Sequence, residues 1–365
     1  MEMWEKSRVH SPRQINDRLI LRFVVIFFRN MIKTDKTKHT IGLILLSLTA
    51  LFWGAGFVLN DQLLDPTFER APFYNMPALL LTFRFGIAAL CLLAIFNKRI
   101  RFNKQILLYG GIGGLMLFSG FLLQTIGQKY TVPSHSGFFT ASYVMFVPFI
   151  TWIAYKKRPN WPSLVGVTIA IAGLVILNIN VDEIGEKNVL IGDVITAACA
   201  IVFAFQIFWT DFTFKKNKVD HVQLTFWEIT FAAILFVIYS AIFESKHYST
   251  FADSFDVNFC WWRLAIVIFG GTTFAYYAQT FAQKNVPPTE TSLVLSCESA
   301  IGAILAMILV EQVHWQTIVG GLLVIAAVIL VEVVPTIQFK HKKRSCTDTC
   351  EQDGKAPDSN EQNTE

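Results

Sequence analysis

The sequence predicts an all-α integral membrane protein whose ten transmembrane helices form two five-helix repeats of inverted topology. Three observations predict it: an apolar composition, a one-sided placement of Lys and Arg, and an internal duplication. Of the 365 residues, 53% are hydrophobic and only 16% are charged, and Phe alone occurs 33 times. Mean hydropathy is +0.46. Ordinary globular chains carry roughly 45–50% apolar and about 25% charged residues. So few charges cannot cover so much apolar surface in water. The charges are also clumped, leaving apolar stretches of about 20 residues, enough to cross a bilayer core at about 1.5 Å per residue. This excludes a soluble enzyme, a nucleic-acid binder and a fibrous protein. The net charge of +4 does not point to nucleic acid, because the basic residues serve as topology signals.

In chain order, residues 1–39 form a basic cytoplasmic leader. Its run from Leu19 to Phe28 is broken by Arg22 and flanked by Arg18 and Arg29, too short and too charged to span. Two readings stay open: an interfacial amphipathic helix, or a true start at Met31. Apolar runs bounded by charge, Pro or Asn then predict helices near 40–60, 77–97, 105–128, 132–155, 161–178, 190–211, 221–243, 260–283, 286–310 and 314–337. Period-2 alternation is absent, which argues against a β-barrel. Residues 338–365 are polar, acidic toward their end and expected to be disordered. There Cys346 and Cys350 share a CTDTC spacing with no second ligand pair, so no metal site is expected. No cofactor is expected either.

Lys and Arg orient the bundle. With the N-terminus in the cytoplasm, the inside segments carry 25 basic residues, and the outside loops only Arg70, Lys129, Lys187 and Lys246. Arg84 and Arg263 lie within spans. Both termini therefore face the cytoplasm.

The duplication gives the arrangement its meaning. Gln124-Thr125 and Gln128-Lys129 return as Gln279-Thr280 and Gln283-Lys284, an offset of 155. Val132-Pro133 returns as Val286-Pro287, Trp161 as Trp315 and Gly166 as Gly320, at offset 154. Two five-helix units follow, within 40–180 and 190–337. Five is odd, so the second unit enters the membrane in the opposite sense. Accordingly, Lys156-Lys157-Arg158 is replaced by Glu311-Gln312-Val313 at the matching place. Repeats of opposite sense can alternate access to a site between them, which predicts a carrier.

Formal charges well inside the spans are Arg84, Glu228 and Glu298. A charge at a helix centre costs roughly 2.5–3.5 kcal/mol on insertion scales, so each should face protein or a wet cavity. Glu298 falls near the midplane, where it could bind an amine or carry a proton; a structural hydrogen-bonded Glu is the competing reading. Arg84 and Glu228 occupy matching positions in the two repeats, for substrate contact or for structural pairing and lip snorkelling. Tyr276, Gln279, Thr280 and Gln283 form a polar stripe at i, i+3, i+4, i+7, and Gln124 and Gln128 sit i, i+4 in the partner repeat. These amides suit a binding surface or paired gates, or plain interhelical bonding. Trp53, beside Gly54 and Gly56, and Tyr143 are candidates for an apolar cavity wall. His135 begins span four near the outer surface as a pH sensor or a solvated lip residue. The run Gly110-Gly111-Ile112-Gly113-Gly114 reads as helix packing rather than a phosphate loop, since no GK[ST] follows.

These fragments, in order, resemble the EamA-type transporters of the drug/metabolite transporter superfamily over about 41–334. The marks are Trp53-Gly54 with Phe57, Arg84-Phe85, Leu123-Gln124-Thr125-Ile126-Gly127 before Val132-Pro133-Ser134, Gly192-Asp193, Ala278-Gln279-Thr280-Phe281-Ala282-Gln283-Lys284, and Gly320-Gly321. The resemblance implies a ten-helix inverted-repeat carrier. Its cavity would be lined by spans one, three, four, six, eight and nine. It would export amino acids, other metabolites or toxic compounds by proton-linked antiport or facilitated flux. Two departures make this chain locally more acidic: Glu290 stands where many members have Arg, and Glu298-Ser299 where many have Glu-Pro.

The expectation is thus a plasma-membrane exporter of a small organic solute. Trp53, Gln124, Tyr143, Tyr276, Gln279 and Glu298 are its leading site residues, with Arg84, Gln128, Glu228, Gln283 and Glu290 second. Its partners are the substrate, with a coupled proton or by facilitated flux without one, and the lipid bilayer. The small-residue face at Gly320-Gly321 permits a homodimer. The alternative class is a non-transporting adaptor working through its cytoplasmic tails.

Overall fold

The computed structural model describes residues 35–65, 71–177, 189–216, 219–249, 251, 255–309, 315–316 and 318–331. The leader with Met31, the tail with Cys346 and Cys350, and Glu311 lie outside the described residues.

Every regular element among the described residues is helical. The first half contains α1 (Asp35–Leu64), α2 (Pro77–Phe96), α3 (Lys104–Gln128), α4 (Pro133–Ala141), α5 (Tyr143–Tyr155) and α6 (Trp161–Leu177). The second contains α7 (Val189–Lys216), α8 (His221–Phe243), a 3-10 turn (Ser245–His247) and α9 (Val257–Ala265). A π-helical stretch (Ile266–Phe274) then runs into α10 (Ala275–Gln283), followed by α11 (Pro288–Leu295), α12 (Cys297–Leu309) and α13 (Ile318–Val331).

Eight helices among the described residues are long and apolar enough to cross a bilayer. Three are composite: α4 with α5, α9 through α10, and α11 with α12. The runs expected as spans five and ten are α6 and α13, apolar but shorter. Spans one and six extend beyond the expected 60 and 211, to Leu64 and Lys216. That places Asp61 inside α1 and Asp211 deeper within α7, both buried. The set of three intramembrane charges is corrected accordingly.

Sequence punctuation sets the helix starts. Proline opens α2, α4 and α11, where its missing N–H costs nothing. Asn103, Asp220 and Asp256 accept from the first free amides of α3, α8 and α9, as N-caps do. The outward faces carry exposed Leu90, Ile95, Ile153 and Leu190. A helix apolar all round suits a membrane, where the surrounding solvent is also apolar.

The most extensive helix packing joins the first half to the second: α3 on α7 and α8, α2 on α8, and α1 on α10 and α12. Glycines make these contacts close. Gly42 of α1 meets Ala282 and Val286, and Gly192 of α7 meets Gly127 and Thr131. Gly166 of α6 faces Ala327 and Val331, whereas Gly173 faces Gly320 and Leu323. Those two helices therefore run antiparallel. Gly320 and Gly321 are both buried, against α6 and near Ala300 of α12. The face proposed for dimerisation is thus filled within the chain.

Candidate functional site

Two helices break in the middle of the bundle, and they break alike. α4 gives way to α5 at Ser142, and α11 to α12 at Ser296, positions 154 apart. Each serine Oγ donates to the carbonyl three residues back, Ser142 to Phe139 at 2.6 Å and Ser296 to Leu293 at 2.7 Å. Each serine carbonyl accepts from the amide three residues on, Met145 and Ser299. The hydroxyl satisfies a carbonyl that the interrupted ladder would leave short. A third irregularity is the π-helical stretch, where Thr272 and Thr273 donate to the carbonyls of Val267 and Ile268 five residues back. π-Turns inside helices are frequent at functional sites.

All three irregularities border one cavity between the halves. About 560 Å³ of atom-free space is lined by Phe52, Trp53, Gly56, Phe57 and Asn60 of α1, Arg84 of α2, and Phe121 and Gln124 of α3. Thr140 and Tyr143 of the broken helix, Phe203, Gln206 and Ile207 of α7, Val267 and Gly271 of the π stretch, Tyr276 and Gln279 of α10, and Glu298 of α12 complete it. Of that space about 40 Å³ is open to the centre of a water molecule. That is room for a few waters.

All six leading residues from the sequence line it, together with Arg84. Span two, absent from the expected lining, enters through that Arg84. The walls are aromatic: Trp53 leans on Tyr276 with centroids 5.5 Å apart, and Phe121 meets Phe85, Phe203 and Tyr276 edge-on. The polar groups are few and held in place. The Tyr143 hydroxyl donates to Glu298 Oε1 at 3.0 Å. Trp53 Nε1 donates to the Gly271 carbonyl at 2.8 Å. Gln124 donates to Thr140 at 3.1 Å, and Gln279 to Gln206, which donates onward to Thr210. Arg84 is 3% exposed; its Nε donates to Thr272 at 3.3 Å, and its guanidinium lies 5.1 Å from the Phe121 ring centre. Its Nη1 is buried without a hydrogen bond. Burial at this depth replaces the lip-snorkelling reading.

The remaining residues lie elsewhere. Gln128 donates to the Phe57 carbonyl at 2.5 Å, and Gln283 to the Ile207 carbonyl at 2.9 Å. Neither glutamine lines the cavity; this duplicated pair ties its helices to the carbonyls of two residues that do. Thr280 of the same stripe bonds to Thr225 on α8. Glu228 is fully buried on α8, with Gln206 its polar neighbour and no hydrogen bond of ordinary geometry to either oxygen. The glycine run of α3 lies directly against it: a Cβ on Gly110 would strike Trp227, and one on Gly113 the Glu228 carboxyl. Neither snorkelling nor an ion pair accounts for Glu228. Glu290 borders a second, more open recess with Tyr155, Lys157, Asn160, Ser163 and Lys215.

Sequence reasoning missed Asn60, Thr140 and Gln206 in the cavity. Gln206 had a signal, as an amide within an otherwise apolar stretch. Asn60 stands at the expected end of span one, which the structure extends to Leu64.

Comparison with known proteins fits this architecture. Residues 40–179 and 190–333 each match the EamA-like transporter family. A protein of Archaeoglobus fulgidus described as an uncharacterized transporter is 29% identical over 292 residues, covering 78% of this chain and 84% of that protein. A solved crystal structure superposes with a TM-score of 0.58 at 16% identity, over 78% of this chain and 98% of the other; that likeness concerns the fold alone. Two successive matches over most of the chain, on an all-helical bundle closed around a buried cavity, place this protein in the EamA-like transporter family as a multi-spanning membrane transporter.

Proposed function

We propose that the protein carries a small zwitterionic organic solute, such as an amino acid with an apolar side chain, by alternating access of the central cavity. The observation that supports this most is that one aromatic-walled cavity holds both a buried guanidinium, Arg84, and a buried carboxyl, Glu298. A substrate carboxylate would meet Arg84, a substrate ammonium would meet Glu298, and the rings of Trp53, Phe121 and Tyr276 would take the apolar remainder. Gln124, Gln279 and Tyr143 orient the charged groups. Such a solute replaces the lost hydration of two buried charges at once.

Inverted repeats supply the movement. Supporting this are the antiparallel packing of α6 and α13, the breaks at Ser142 and Ser296, and the matched amide bonds of Gln128 and Gln283. Counting α6 and α13 as spans gives ten helices, with both termini and Lys157 on the cytoplasmic side. The cell membrane is the proposed location and export the proposed direction. Glu298 is the group that would exchange a proton against substrate.

The test is a thermal-shift screen of the purified protein against amino acids, polyamines, nucleosides and cationic drugs, followed by flux in proteoliposomes. Stabilisation by neutral amino acids, abolished in Glu298→Gln and in Arg84→Gln, is the expected result. Stabilisation by cations alone, unaffected by Arg84→Gln, would overturn the zwitterion reading.

A further inference from the structure

Two histidine–carboxylate pairs stand apart from the cavity, and they are built to one plan. His135, the third residue of α4, lies 3.2 Å from Asp193, the fifth residue of α7. Glu290, the third residue of α11, lies 2.9 Å from His39, the fifth residue of α1. Each pair ties the first part of a broken helix to the first helix of the other half. The chemical order is exchanged: the broken helix supplies the base at one pair and the acid at the other.

The pairs lie at opposite ends of the bundle. Eighteen residues of α1 separate His39 from Phe57, whose carbonyl receives Gln128, a few residues before His135. At about 1.5 Å per residue that is about 27 Å. The cavity lies between, at the breaks themselves. All four side chains are partly buried, with Asp193 and His135 14% and 17% exposed and Glu290 and His39 20% and 33%. Thr131 also donates to Asp193 at 2.7 Å, fixing the carboxylate. Both pairs are formed at once, in a structure whose cavity has room for only a few waters.

We propose that these pairs are the two gate latches of the carrier, each holding one mouth shut, and that this structure is the occluded state with both fastened. The assignment rests on the alternating-access reading above. Opening toward one side then requires parting only the pair at that side, because the broken helix can swing about its serine while its other part keeps its packing.

The experiment uses a cysteine-free background with a reporter at Gly56→Cys; a Cβ there meets open cavity space. Proteoliposomes of known orientation are exposed to a membrane-impermeant thiol reagent from either side. His135→Ala and Asp193→Asn are expected to speed labelling from the His135 side by roughly fivefold, and His39→Ala and Glu290→Gln from the His39 side only. The exchanged double variant His39→Glu/Glu290→His, which copies the chemical order of the opposite latch, should return labelling to the parent rate. General loosening of the fold would instead speed labelling from both sides, and that outcome, or no change in any variant, overturns the latch assignment. Substrate flux by the parent protein is measured alongside. A parent that carries flux while the variants label like it sinks the latches alone, whereas a parent without flux under any gradient sinks the carrier reading.

Discussion

Tyr143 and Glu298, 155 positions apart, are joined by a 3.0 Å hydrogen bond across the central cavity, each just beyond the point where its own helix breaks. The two breaks bring the start of α5 and the start of α12 together and leave one carboxyl and one phenol facing a buried space. A hydrogen bond contributes roughly 0.5–1.5 kcal/mol, and more where the acceptor is charged. Tyr143→Phe should therefore weaken substrate binding roughly tenfold, and Glu298→Gln more, in a ligand-dependent thermal-shift titration. The ligand-free melting temperature of Glu298→Gln should not fall, since the amide oxygen can still accept from Tyr143 and carries no charge to bury. Unaltered substrate affinity in Glu298→Gln would remove this carboxyl from the site.

The glycine run of α3 makes a packing prediction with an internal control. A Cβ on Gly113 would overlap the Glu228 carboxyl, whereas one on Gly111 meets the Phe231 ring at 3.8 Å. Gly113→Ala should cost about 1–3 kcal/mol by overpacking, and Gly111→Ala should be close to neutral. Truncation by Glu228→Ala should relieve much of the Gly113→Ala penalty, so the double variant should be more stable than the two single costs imply. Chemical denaturation in detergent reads all four proteins.

Glu244 fastens the start of α2 from the end of α8. Its oxygens accept from the Ala78 and Leu79 amides at 2.9 Å and from Ser240 at 2.8 Å. Glu244→Ala should cost about 0.5–2 kcal/mol, the loss expected for a helix cap. Burial pushes this carboxyl above the ordinary carboxylate range, against the pull of the Ala78, Ser240 and Leu79 hydrogen bonds and of Lys129. A raised value in the folded state means that folding takes up a proton there. The contribution is fully present below the unfolded value and is lost as pH rises through the folded one. The melting temperature of the parent relative to Glu244→Gln should accordingly decline as pH rises upward from about 4. A difference flat with pH would contradict it.

The proposed inversion has a direct labelling test. Lys157 lies in the basic run whose place in the second repeat is taken by Glu311-Gln312-Val313. Lys157→Cys and Glu311→Cys, made singly, should react with an impermeant reagent from opposite sides of the membrane. Reaction from one side would collapse the inverted arrangement, and alternating access with it.

The class of this protein is written along the chain itself. Hydropathy, basic-residue placement and a 154–155-residue recurrence are one-dimensional properties, and membrane insertion reads them segment by segment. That is why the helical spans and the family were legible, and why the six leading cavity residues could be named as mid-span polar or aromatic groups. What the chain could not specify alone was which of those groups face one another. Gln128 and Gln283 resemble Gln124 and Gln279 in every local respect, yet one turn of helix takes them out of the cavity lining and onto the backbone carbonyls of Phe57 and Ile207. Asn60, Asp61 and Asp211 were misplaced at span ends because a helix boundary depends on what covers it. Glu228 reads from the chain as a substrate contact, a structural pair or a lip residue, and packing sets it against a glycine face. The breaks at Ser142 and Ser296 follow from no local propensity, since serine is common inside membrane helices. Only the close crossing of two interlocked halves decided where the helices part, and therefore which buried charges share a space.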